Sequence, residues 1–205
     1  MRKVALIDYG AGNLHSVENA LRAAGAADVA VTADPEVVLA AERIVLPGVG
    51  AFQACMGALS AIPGMIAAME TAVLEQGRPF LGICVGMQLL ADAGEEHGRW
   101  DGLGWIGGTV RRMVPNDPAC KIPHMGWNDV RPTRDHPLIV PGEAYFLHSY
   151  AIQDIDPALC LATTDHGGQI IAAVGRDNIV GVQFHPEKSQ SYGLALLARF
   201  LEWKP

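Results

Sequence analysis

The chain has 205 residues, half of them hydrophobic and 18% charged, with a net charge of −7. That length and apolar content suffice for one buried core and exclude a disordered chain, and the scattered Lys and Arg form no basic stripe for nucleic acid. The opening run "MRKVALIDYG" turns polar at Asp8, too early for a signal-peptide core or a membrane span.

A single domain over residues 1–205 is therefore expected, cytoplasmic, with neither nucleic acid nor membrane as partner. The four cysteines at 55, 84, 120 and 160 are far apart and form no CxxC pair, so four free thiols are expected and no metal.

In chain order, "VALIDYG" is the first of several short apolar runs bounded by Gly or Pro, a pattern that suits strands buried on both faces. "NLHSVENALRAAG" places Leu14, Val17 and Leu21 at helical spacing and ends at Gly25. "RIVLPG" is strand-like, "PGMIAAMETAVLEQG" is helical up to Gly77, and "PFLGIC" is again strand-like. After Cys84, "VGMQLLADAG" reads as a helix to Gly94. From about Gly104 to Gln183 the pattern is mostly strands and turns, with "AYFLHS", "IIAAVG" and "IVGVQF". "SQSYGLALLARFLEW" opens on cap-type serines and closes the chain as an amphipathic helix. Alternating strands and helices followed by strands imply an α/β fold: an open, mostly parallel sheet sandwiched by helices, with an antiparallel extension. Ligands in such sheets bind beyond the carboxyl ends of the strands, where "DYGAGN", "LPGVGAF" and "GICVGMQ" all fall.

The string Gly82-Ile83-Cys84-Val85-Gly86 has nucleophile-elbow spacing, with sulfur in place of a serine oxygen. A sharp strand-to-helix turn leaves no room for side chains beside the nucleophile, which accounts for the glycines. It also sets the thiol at a helix N-terminus, whose dipole favours thiolate. The Val85 N–H, left unpaired by the turn, can receive an oxyanion. A lone cysteine is more often a buried core residue, and Cys55, Cys120 and Cys160 keep that reading.

His185 ends the run "VGVQF" at the same sheet edge, so it is the candidate base. In extended chain Glu187, two residues on, points the same way and can orient the imidazole. "VLPGVGAF" is either a tight connection or a backbone-donor loop offering the Val49 N–H to developing negative charge. "DYGAGN" is not a dinucleotide fingerprint, because the third glycine of G-x-G-x-x-G is missing.

With "GICVGMQLL" and "HPEKS" together, the chain resembles the class I (triad) glutamine amidotransferases. "DYGAGNLHSV", "LPGVGAF", "KIPHMGWN" and "YFLHSY" make it most similar to the branch serving histidine biosynthesis rather than anthranilate or pyridoxal-phosphate synthesis. The resemblance implies a flavodoxin-like sandwich and a Cys84–His185–Glu187 triad that hydrolyses glutamine to glutamate and ammonia without a cofactor. It implies that Gln88 helps to hold the substrate and that Gly50 and the "HSY" segment around Ser149 and Tyr150 line the glutamine pocket. It also implies a separate (β/α)8-barrel cyclase subunit as partner, with the "PGVG" loop completing the oxyanion hole once that partner is bound. Asn13, Trp127 and Lys188 are candidates for the interface or its gate; Trp127 could equally be a core aromatic and Asn13 an N-cap. The competing enzyme reading is a free-standing cysteine hydrolase or peptidase of the same fold. A non-catalytic relative is disfavoured by the intact triad.

Overall fold

A computed structural model describes residues 3–205. The apolar runs become strands. In chain order these are β1 (Lys3–Ile7), β2 (Asp28–Thr32), β3 (Arg43–Leu46), β4 (Phe80–Ile83), β5 (Ala93–Gly94), β6 (Trp100–Asp101) and β7 (Thr109–Arg112). They are followed by β8 (His124–Pro132), β9 (Gly142–His148), β10 (Tyr150–Gln153), β11 (Cys160–Asp165), β12 (Gln169–Arg176) and β13 (Ile179–Val182).

Nine of them form one sheet in the order β2-β1-β3-β4-β13-β12-β11-β8-β9. The pairings from β2 to β13 are all parallel and those from β13 to β9 all antiparallel, as the patterning predicts. The central strands β3, β4 and β13 are buried at every position, which explains their continuous apolar runs. A second, four-stranded sheet, β10-β7-β5-β6, has no counterpart in the sequence reading.

The helices are α1 (Leu14–Ala23), α2 (Pro35–Ala40), α3 (Phe52–Ser60), α4 (Met65–Glu70, continued by a π turn to Glu75), α5 (Val85–Gln88) and α6 (Gln190–Glu202). α1 buries Val17, Ala20 and Leu21 on one stripe, and Gly25 follows it at φ +107°, a conformation glycine adopts freely. Gly77, at φ +67°, likewise follows the π turn. No single helix among the described residues is long and apolar enough to cross a membrane.

Two local expectations are corrected. The helix expected up to Gly94 ends at Gln88. The carbonyls of Leu89, Leu90 and Ala91, which a longer helix would use internally, instead accept N–H groups of Leu103, Trp105 and Gly104 at 2.8, 2.9 and 3.0 Å. A returning segment thus takes over the backbone bonds, and all three residues are fully buried beneath it. At α6, Ser189 occupies the N-cap position without capping. Its hydroxyl donates to the His185 carbonyl (2.7 Å) and accepts the Tyr145 N–H (2.9 Å), so it braces the turn that carries His185.

Candidate active site

Cys84 follows β4 with φ 55° and ψ −111°, a conformation that L side chains rarely hold. Its N–H donates to the Val182 carbonyl of β13 (2.8 Å), which ties the elbow to the neighbouring strand. The glycines are there for space. A Cβ on Gly82 would lie 2.7 Å from the Gly86 carbonyl oxygen, and one on Gly86 would lie 1.9 Å from that of Leu46. Because α5 is a single turn, its dipole is weak, and the nearby positive charge must come from a side chain.

That side chain is His185, which leaves β13 beside the elbow. Its Nδ1 donates to Glu187 Oε1 at 2.8 Å, both side chains being only 2% exposed, so Nε2 faces the Cys84 thiol. Burial alone would lower the imidazole pKa. Hydrogen bonds to Cys84 and Glu187, with their negative charge, overcome that and raise it to about 10. The His–Glu contact does not arise from extended chain as the sequence reading supposes. Residues Pro186–Lys188 form a 3-10 turn, with Pro186 in its first position, and the turn swings Glu187 back onto the ring.

Val49, Gly50, Cys84, Val85, Gln88, Ser149, Tyr150, His185 and Lys188 meet around one cleft of about 170 Å³. Glu187 stands behind His185. The Val85 N–H, expected to be free, donates to the Gly48 carbonyl at 3.3 Å, because the glycine-rich loop after β3 lies directly over the elbow. The peptides on either side are held as well. Tyr9 Oη donates to the Pro47 carbonyl (2.7 Å), and the Cys55 thiol, whose pKa is raised by burial, lies 3.5 Å from the Val49 carbonyl. Cys55 is thus buried, as expected, but sits directly beneath this loop.

Asn13 is exposed and its side chain caps nothing, so it is not the N-cap hydrogen-bond acceptor of α1. α1 does pack against the Pro186–Lys188 turn. Trp127 is 47% exposed, which rules out a core role. Its ring meets Tyr145 edge-on at 6.2 Å, and Lys188 Nζ lies 5.9 Å above the same Tyr145 ring; Trp127 itself does not line the cleft but a separate hollow beside Gly142, Glu143 and Tyr192.

The sequence reading took the "HSY" segment, which includes His148, as pocket lining without giving that ring a role, and it missed three other polar residues here, Glu96, Gln183 and His124. Glu96 lines the cleft, and its Oε2 accepts the Phe52 N–H at 2.9 Å. Gln183, fully buried, accepts from Gln88 Nε2 (3.0 Å) and points its own Nε2 at Cys84 Sγ (3.7 Å). Buried His148 lines the cleft, and buried His124 bonds to it. Each polar side chain inside an apolar strand pattern was a signal in itself, since such groups are buried only with partners.

A thiol on a strained elbow, backed by a buried His–Glu pair at the carboxyl edge of a parallel sheet, is an arrangement suited to the nucleophile and base of a hydrolase of the α/β class. Residues 5–203 match the family described as Glutamine amidotransferase class-I. The chain is 68% identical to "Imidazole glycerol phosphate synthase subunit HisH" of Zymomonas mobilis subsp. mobilis, over 98% of this chain and 96% of that one. It is 55% identical to the protein of the same name from Rhodospirillum rubrum, over 99% and 100% of the two chains. The solved structure of PurLQS from Thermotoga maritima shares the fold at 19% identity, with a TM-score of 0.70 over 98% of both chains. The chain belongs to the class-I glutamine amidotransferases and, within them, to the HisH subunits of imidazole glycerol phosphate synthase.

Proposed function

We propose that the chain is the glutaminase of an imidazole glycerol phosphate synthase, acting through a thioester on Cys84 and passing ammonia to a separate (β/α)8-barrel cyclase subunit. The observation that carries this reading is the Cys84 elbow set against the buried His185–Glu187 pair. The Cys84 sulfur attacks the side-chain carboxamide carbon of glutamine, and the carbonyl oxygen becomes an oxyanion. His185, held protonated by Glu187 and the thiolate, gives its proton to the departing nitrogen, which leaves as ammonia. The neutral imidazole then takes a proton from water, hydroxide adds to the thioester, and glutamate leaves as Cys84 and His185 return to an ion pair.

Gln88 spends both of its N–H groups on the Tyr150 carbonyl (2.9 Å) and Gln183, so its free Oε1 can accept from substrate. With Glu96 across the cleft, the pair suits an α-ammonium group; the backbone of Gly50, Ser149 and Tyr150 supplies the rest of the pocket.

The oxyanion hole is closed in this conformation, since the Gly48 carbonyl occupies the Val85 N–H. Gly48 O and Val49 N belong to one peptide. Rotating that peptide frees the Val85 N–H and turns the Val49 N–H inward, which yields two donors from one movement. Glycines at 48 and 50 make the rotation accessible. Cyclase binding favours the rotated state by pressing on exposed Val49 and Lys188 at the cleft and on Trp127, which reaches Lys188 through the shared Tyr145 ring, so ammonia is released only when a consumer is docked.

The test is direct. Full chain in complex with its cyclase is given glutamine, quenched in acid and digested; a glutamyl adduct on the peptide bearing Cys84 supports the scheme. Glutamate release with no such adduct, and undiminished in Cys84→Ala, contradicts it.

A further inference from the structure

Resting on the glutaminase reading, we propose that His124 and His148 are positioning residues: a neutral, directionally fixed imidazole pair that holds the Tyr150 carbonyl and thereby sets Gln88 in the glutamine pocket. The direction of every link follows from its end. A backbone carbonyl only accepts, so His148 Nδ1, 2.9 Å from the Tyr150 oxygen, carries a proton. A neutral His148 then has an accepting Nε2, so His124 Nδ1, 3.1 Å away, must donate. His124 Nε2 accepts in turn from Asn128 Nδ2 (3.0 Å), whose other hydrogen goes to the Asp165 carbonyl (2.8 Å). The Asn128 oxygen accepts the Asp129 N–H at 2.8 Å, so the far end is complete.

At the near end, Tyr150 O also receives Gln88, and Gln88 holds Gln183, which points at the Cys84 sulfur. One hydrogen-bonded path therefore runs from β8 to the nucleophile. An added proton on either imidazole would set donor against donor. The buried setting opposes that, and burial is the largest cause lowering His148 to about 4 and His124 to about 3. The other titratable rings beside the pair are His166, stacked 4.1 Å from His124 with its Nε2–H on the Lys121 carbonyl, and His185 of the triad.

β8 gives the path a second meaning. His124 and Asn128 face inward, while Met125 and Trp127 between them are 65% and 47% exposed, on the surface that the proposed function assigns to the cyclase. Across the ladder His124 pairs with His148 and Met125 with Leu147, whose carbonyl lies 3.9 Å from Cys84 Sγ.

The experiment uses the full chain and two variants. His124→Phe keeps a ring against Phe146 and His166 but removes both hydrogen bonds; His124→Asn returns a donor near the position of Nδ1. In complex with the cyclase, His124→Phe is expected to raise KM for glutamine about tenfold, the scale of one buried acceptor left unpartnered. The smaller effect on kcat and recovery to within about threefold in His124→Asn distinguish positioning from loss of folding. KM unchanged, with activity falling only as the folded fraction falls, overturns the proposal. Independently of any turnover, imidazole 1H–15N spectra of the wild-type chain at neutral pH should show both rings neutral with the proton on Nδ1. A proton on Nε2 of His148 overturns the path, and this readout stands even if the chain proves not to cleave glutamine.

Discussion

Gly48→Ala tests whether the loop over the elbow is the oxyanion switch. A Cβ at this position would lie 2.7 Å from the Gly86 nitrogen, 2.7 Å from Tyr9 Oη and 2.9 Å from Val85 Cβ, and ordinary contact begins at 3.4 Å. Two of the three neighbours belong to the elbow itself, which is pinned by the Cys84 bond to Val182, so the loop must retreat by about 0.7 Å to restore ordinary contact. An oxyanion donor works at about 2.7–3.1 Å, and the same retreat carries the Val49 N–H out of that range in the rotated state. Losing one such donor costs roughly 10²–10³ in kcat. The expected result is a stimulated glutaminase kcat about a hundredfold below wild type, with KM for glutamine changed less than about threefold. Alkylation of Cys84 by iodoacetamide should persist, showing the nucleophile in place. A variant with kcat within about threefold of wild type would refute the role assigned to this loop.

Cys84→Ala should abolish glutamate release while the chain still binds the cyclase in gel filtration; loss of assembly would make Cys84 structural. Glu187→Gln should flatten the alkaline side of the stability profile. His185 has a folded pKa of about 10, above the unfolded value of about 6.5, so its contribution is complete below about pH 6.5 and fades as pH rises toward 10. Melting temperatures between pH 6 and 10 should therefore fall less steeply in Glu187→Gln, and an unchanged slope would remove Glu187 from the pair. Gly86→Ala would place a Cβ 1.9 Å from the Leu46 oxygen, a clash between backbones, and should cost about 2–3 kcal/mol or about 5–10 °C in Tm by calorimetry. A Tm within about 2 °C of wild type would show that the elbow can move.

What the sequence made legible was local. The strand–Cys84–helix elbow shows in five residues, and the parallel half of the sheet in apolar runs that strands buried on both faces require. His185 and Glu187 were found because they lie two apart at a strand end, although a 3-10 turn rather than strand alternation joins them. What escaped depends on chain far away. Helix α5 stops at Gln88 because residues 103–105 capture the carbonyls of residues 89–91 that would continue it, and the Val85 N–H is occupied because the loop after β3 folds over it. Glu96 follows β5 of the second sheet, whose two-residue strands carry no periodic signal. His124 and Gln183 looked like strand residues of either face until burial gave them partners.

The most direct measurement is glutamate release from glutamine by the full chain, alone and with the barrel cyclase holding a ligand in its own site. A rate that is low for the chain by itself and raised manyfold by the liganded partner is the expected result, because the proposed gating turns the Gly48–Val49 peptide only when the partner is docked. Equal rates with and without the partner, or no glutamate in either case, would contradict a cyclase-gated glutaminase.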